Sequence, residues 1–431
     1  MRYHRYAALI VVCVLAVGFA APVPTNAQSY VAPTYIGMTP QDVGVMDRAR
    51  PDYDAKGIPL GGFRLFPTLN LNASYDDNVF RVPVAQSDYF FTISPALRLQ
   101  SQWGRNFLEV YTGLNNYDYT TFSEQNLTDW RFGADGRLDI SRAAMLSANV
   151  FYGELHELWS APNNIAGFQA APNRYYQTHA DIVTAYQPNR LGVGFGVSVD
   201  RFDWTDTPKI GGGLLYNSDR NQDDYQGYAK IFYDFSPGYS GFVKASYDER
   251  DFDLFADRSG LHRSSHGFRV DGGVDMQITH LLAGELFLGY LNQSFAQNVP
   301  TPLPNVSGFD YGAELDWYAS PLLTVHLSGS RQLADVIITG ASVADNKNVA
   351  VSADYEFRPN IILQGRVSYT DSRFVGTIRE DTYPGIGIGV KYLVNRTVSA
   401  NLYYNYSERS TNISGVQYND NTISIGLSLH L

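Results

Sequence analysis

From Phe63 to the C-terminus, apolar and polar residues alternate in segments of roughly 10–14, and no apolar run after residue 27 approaches the ~18 residues of a membrane helix. A period of two places successive side chains on opposite faces of a strand. In the last segment Ile423, Ile425, Leu427, Leu429 and Leu431 share one face, and Thr422, Ser424, Gly426, Ser428 and His430 share the other. Leu191, Val193, Phe195, Val197 and Val199 oppose Gly192, Gly194, Gly196, Ser198 and Asp200 in the same way. So do Phe132, Ala134, Gly136, Leu138 and Ile140 against Arg131, Gly133, Asp135, Arg137 and Asp139. The segment with Phe91, Ile93, Leu97 and Leu99 on one face also holds Pro95, which cannot donate to a ladder, so a local bulge is expected there. Apolar faces without an apolar helix require a closed sheet, because lipid satisfies no open edge.

The connections alternate in length. Short turns are read at Gly104 to Asn106, Ser141-Arg142, Pro188 to Arg190, Ser236 to Ser240, Thr279-His280, Ser320-Pro321, Arg358 to Asn360 and Asn395-Arg396. Longer polar stretches, such as 158–175, 205–222, 255–265 and 295–307, lie between them. Each short turn joins two strands, and a first and last strand complete the set. The expectation is an all-β, antiparallel, up-and-down transmembrane barrel of about 18 strands, with 16 as the alternative, over residues 62–431. A barrel of this size leaves an aqueous lumen unless something fills it. A soluble sandwich or propeller also alternates, but rarely through so many consecutive hairpins.

The N-terminus supplies the route to a membrane. Arg2, His4 and Arg5 precede an apolar run from Ala7 to about Ala20, then Pro22, Pro24 and the small-residue end at Thr25-Asn26-Ala27. This reads as a signal peptide over 1–27, too short for a spanning anchor. The only cysteine, Cys13, lies within it, so the mature chain forms no disulfide. Residues 28–61, with Pro33, Pro40, Pro51 and Pro59, read as a periplasmic extension, partly disordered, or else as a plug or latch in the lumen. The formal net charge of −11 excludes nucleic acid as a partner, since phosphates need Lys and Arg. Expected partners are outer-membrane lipid and lipopolysaccharide and the barrel-assembly machinery, with the oligomeric state open.

Arg50-Pro51-Asp52-Tyr53-Asp54, Gly57, Gly61 to Pro67, Tyr75 to Phe80, Ser94 to Leu99 and Ser101-Gln102-Trp103 resemble the outer-membrane β-barrel porin family of proteobacteria. The resemblance is most specific over about residues 50–105. It implies the fold and an outer-membrane location. Some members are similar to components of surface-polysaccharide export, which makes export components candidate partners, and others look like general porins. It carries over no catalytic or ligand residue.

Inward charges are the candidate functional residues. The alternation puts Arg98, Arg131, Asp135, Arg137, Asp139, Asp200, Lys244, Asp248, Glu285, Arg366 and Lys391 on the lumen face. Such charges tune selectivity, or brace the wall as interstrand salt bridges. Tyr403, beside Asn401 and Asn405, is a candidate for stacking on a sugar ring, whereas Tyr89, Tyr111, Tyr117, Tyr119, Tyr152, Tyr404 and Tyr406 suit aromatic girdles. Asp76-Asp77-Asn78 offers hard oxygen ligands for calcium, although its spacing suits an ordinary polar turn, as does Tyr418 to Asn421. His179 and Asp181 share a face, as a general base and its orienting carboxylate would, but no nucleophile is placed beside them. His262 and His266 are too few for a zinc site, and no phosphate-binding loop is present. The expectation is a non-enzymatic channel without cofactor or metal, with a surface polysaccharide as preferred cargo. The alternative is a non-conducting structural or adhesive barrel acting through its outer loops.

Overall fold

The computed structural model describes residues 44–164, 168–278, 281–296 and 302–431. The leader and residues 28–43 lie outside the described residues. Eighteen long strands run in chain order: β1 Phe63–Asp76, β2 Asp88–Ser101, β3 Phe107–Tyr119, β4 Leu127–Asp139, β5 Ala144–His156 and β6 Arg174–Tyr186. They continue as β7 Leu191–Trp204, β8 Gln222–Ser236, β9 Tyr239–Phe252, β10 Ser265–Ile278, β11 Leu282–Phe295 and β12 Val306–Ser320. The last six are β13 Leu323–Asp335, β14 Val343–Arg358, β15 Ile361–Phe374, β16 Glu380–Leu393, β17 Val398–Thr411 and β18 Tyr418–His430. Each pairs antiparallel with the next, and β1 closes on β18 from Thr68↔His430 to Asp76↔Thr422. Among the described residues every long strand has a neighbour on both sides, as lipid demands. Seven of the short connections fall where the turn residues predicted them, and the eighth, Thr279-His280, lies outside the described residues.

The alternation sets which face is which. Ile423, Ile425, Leu427, Phe195, Val197, Phe132 and Leu138 are all exposed on the outside, while their polar or glycine neighbours point in. Many strands exceed the ~9–11 residues needed to span the membrane. Acids therefore sit on ladder positions at strand ends, among them Asp76, read from the sequence as part of a polar turn, and Asp223, Asp224, Asp248, Glu249 and Asp251. Tyr418 to Asn421 likewise belong to β18 rather than to a loop, and His266 to β10.

Pro95 makes no bulge. Its register to β1 is unbroken at Leu69↔Pro95, and the β2–β3 pairing merely skips from Ile93↔Asn116 to Ala96↔Gly113 without changing step. A missing donor costs a ladder bond there; it does not insert a residue.

The inward glycines have a packing role. Phe232 lies over Gly192, Tyr228 over Gly196, Phe242 over Gly273 and Phe287 over Gly312, each the direct cross-strand partner. A Cβ on Gly196 would stand 2.1 Å from the Tyr228 ring, and one on Gly192 2.2 Å from Phe232. The missing side chain lets a large ring lie flat along the wall instead of projecting into the lumen.

The described part of the segment before the barrel begins at Gly44. A short strand, Ile58–Leu60, pairs back onto β1, and residues 44–54 fold as two single turns with Asp47 and Arg48 N–H donating to Gly44 O and Tyr53 and Asp54 N–H to Arg50 O. The described part of the extension is thus structured, and it lies at the short-turn end of the barrel.

Candidate pore

Strands β6 to β13 surround a cavity of about 410 Å³ on the inner wall. Its lining contains ten Asp and Glu against four Lys and Arg, so the cavity is acidic even where ion pairs form. Asp200, Lys244, Asp248 and Glu285 line it. Alternation applied to the same strands also yields residues that the sequence reading passed over: Asp224, Arg250, Arg269, Asp271, Asp310 and Glu314. The signal was available in the period-two pattern but was followed only in part through β8 to β12.

Ion pairs brace this wall. Lys230 Nζ reaches Asp275 at 3.3 Å and Glu285 at 2.9 Å, across β8, β10 and β11. Lys244 lies 3.9 Å from Asp271, and Arg269 lies 3.2 Å from Asp310. Arg250 on β9 pairs with Asp335 at the end of β13, where Gln222 donates as well at 3.1 Å. Taking such charges out of water is costly, and close geometry with further hydrogen bonds to the same groups is what offsets it.

The remaining candidates sit elsewhere around the wall. Arg98 grips Glu109 with two bonds of 3.1 and 3.0 Å. Arg131 lies over the Tyr111 ring at 5.9 Å, Asn149 donates to Asp135, and Arg137 meets Asp139 at 2.9 Å. Arg366 and Lys391 point inward from β15 and β16, and neither forms an ion pair among the described residues. The Tyr403 hydroxyl donates to Gln364 Oε1 at 3.1 Å. It crosses Gly389, which pairs with both residues, so its ring lies along the wall. Of the tyrosines considered for girdles, Tyr89, Tyr152 and Tyr404 are exposed on the outside; Tyr111, Tyr117 and Tyr119 point inward.

Two sequence-level sites resolve differently. His179 Nδ1 meets Asp200 at 2.9 Å and Nε2 meets Asp181 at 3.2 Å, so both ring nitrogens are engaged. Asp76, Asp77 and Asp420 do converge as oxygen ligands would. Yet Arg81 stands among them, 2.9 Å from Asp76 and 2.9 Å from Asp420, and supplies the positive charge itself. His262 bonds Ser264 Oγ at 3.1 Å and His266 lies on the outward face of β10, so they form no pair.

The long-loop end is narrowed. The loop between β5 and β6 (157–173) leaves the wall and reaches two distant parts of the rim. Ser160 O accepts from Arg409 on β17, and Asn163 Oδ1 accepts from Ile337 N, beyond β13, at 3.0 Å. Its root is locked by Glu157, which takes two bonds of 2.9 and 2.7 Å from Arg220, whose guanidinium lies 3.3 Å from the Trp204 ring. Arg258 binds Asp219, and Arg263 donates to Val336 O at 2.6 Å and Ala341 O at 2.9 Å. Burial works to raise the Asp219 carboxyl, but the bonds from the Arg258 side chain and backbone outweigh it and hold the group below its ordinary value.

A closed eighteen-stranded barrel with an apolar outside, a charged inner wall and loops folded into one mouth is a transmembrane barrel of the porin type. Residues 50–431 match the family described as "Putative beta-barrel porin 2", and the chain belongs to that family. It is accordingly an outer-membrane, porin-like protein embedded in lipid; in barrels of this class the short turns face the periplasm. Among solved structures it is similar to OccAB4 of Acinetobacter baumannii, at 11% identity and a TM-score of 0.45, covering 85% of this chain and 98% of that one. OpdQ of Pseudomonas aeruginosa is similar at 14% identity and a TM-score of 0.45, covering 86% of this chain and 98% of that one. No curated protein matches it in sequence.

Proposed function

We propose that the protein is a passive diffusion channel for small hydrophilic solutes, with a preference for cations. The observation that carries this reading is the excess of Asp and Glu over Lys and Arg around the central cavity. Wall charge of one sign raises the local concentration of counter-ions and sets selectivity. The loop 157–173, tied across the mouth through Arg409 and Ile337, supports a limit to small solutes. Surface-polysaccharide export, the cargo that the resemblance suggested, needs a wide bore, and the same loop argues for small solutes instead. The barrel class supports insertion by the barrel-assembly machinery. A non-enzymatic role is supported by His179, whose two nitrogens both face carboxylates and leave none to accept a substrate proton.

Liposome swelling tests the channel directly. Vesicles holding the refolded protein should swell in arabinose or glucosamine and resist a large dextran. Vesicles that remain impermeable to every solute, including after removal of loop 157–173, would return the protein to the structural or adhesive reading.

A further inference from the structure

We infer that residues 44–54 are a latch that gates the periplasmic mouth; this rests on the channel reading. The segment reaches three of the short turns. Arg48 donates to Pro321 O, in the β12–β13 turn, and to Glu356 at 3.3 Å, near the β14–β15 turn. Arg396, in the β16–β17 turn, donates to Pro51 O at 2.6 Å. The latch also enters the bore. Val45 is fully buried, and its N–H donates to Oγ1 of the inward Thr324 at 2.9 Å. Asp47 lies among the inward Asp316, His326 and Asp354.

What holds it is side-chain chemistry. Arg50 is the central clasp: one nitrogen reaches Glu356 at 2.8 Å and Val45 O at 2.6 Å, and another reaches Arg48 O at 3.1 Å. Residues 44–54 add no strand to the barrel, so releasing them breaks a few side-chain bonds and no ladder. Segments with that profile open locally without global unfolding. Gly57 follows at φ +67, a backbone state that suits glycine and places a pivot between the latch and the anchored strand Ile58–Leu60. The lumen is then bounded by loop 157–173 outside and the latch inside, and the inner boundary is the one built to let go.

A reversible cross-link tests this. A Cβ on Gly44 would lie 3.6 Å from both Oγ1 and Cγ2 of Thr324, with the Asp47 carboxylate at 3.1 Å as the side chain that gives way, so cysteines at the two positions bring their sulfurs together. Gly44→Cys with Thr324→Cys, in a Cys13→Ser background, is refolded into planar bilayers and recorded oxidised, then after dithiothreitol. The expected result is one steady low-conductance level when oxidised and repeated excursions to a higher level when reduced. Arg50→Ala with Glu356→Gln should lengthen the excursions. Equal currents in oxidised, reduced and Arg50→Ala/Glu356→Gln proteins overturn the gate while leaving the channel standing. Silence in every variant, including deletion of 44–54, overturns the channel and the gate with it.

Discussion

At the scale of single residues, the inner wall is decided by what glycine omits. Gly196→Ala would normally stiffen the unfolded chain and gain a little stability. Here the added methyl lands 2.1 Å from the Tyr228 ring and must push it off the wall. We expect a loss of about 1–3 kcal/mol, the usual range for overpacking. Gly136→Ala is the control, since its Cβ finds nothing nearer than 4.0 Å and should be close to neutral. Urea unfolding of the refolded barrels separates the two. Arg220→Ala acts through charge: it abandons Glu157, whose side chain is 2% exposed, and should cost about 3–5 kcal/mol, the range for breaking a buried pair from one side. Parity along a strand made the inward charges legible in the sequence. Their partners were not, because Lys230 and Asp275 or Arg250 and Asp335 meet only across non-adjacent strands of the assembled sheet.

Among the elements, strands and short turns were legible, a latch before the barrel was open only as an alternative, and the loop across the bore left no signal. Turn residues such as Pro188-Asn189-Arg190 act locally, so they mark their positions wherever the chain goes. Loop 157–173 and residues 44–54 take their conformations from Arg409, Thr324 and Glu356, far away in sequence, and no periodicity records that. Pro95 was misread for a related reason: a lost donor is tolerated in place when the strand is held on its other side by β1. Two outcomes follow for the loops. Arg409→Ala removes the hold on Ser160, and single-channel recordings should then show a larger and noisier conductance. Acid should loosen the loop 205–221 around Asp219. Its folded value is depressed, so the stabilisation is full above the unfolded value of about 4 and fades as pH falls through the folded one. Hydrogen exchange at the Arg258 amide, which donates to Asp219 at 2.9 Å, should accelerate only in that acid range.

The molecule as a whole is a charged tube whose field competes with salt. Eighteen strands spaced ~4.8 Å apart and tilted ~40° enclose a cylinder about 35 Å across the backbone, before side chains and loops narrow it. The Debye length is ~10 Å at 0.1 M salt and ~3 Å at 1 M. The acidic wall of β6 to β12 therefore reaches well into the bore in dilute salt and hardly beyond its own side chains in concentrated salt. Cation preference, read as the reversal potential across a KCl gradient, should be strong at low concentration and nearly absent at high concentration. Neutralising Asp310 and Glu314 on β12, as Asn and Gln, should weaken it at low salt only. The variant leaves Arg269 without its 3.2 Å carboxylate and the wall less acidic, so both changes move selectivity in the same direction. A preference independent of salt would instead require a narrow site where the ion touches the protein, and would place the filter at the tied loop rather than along the wall.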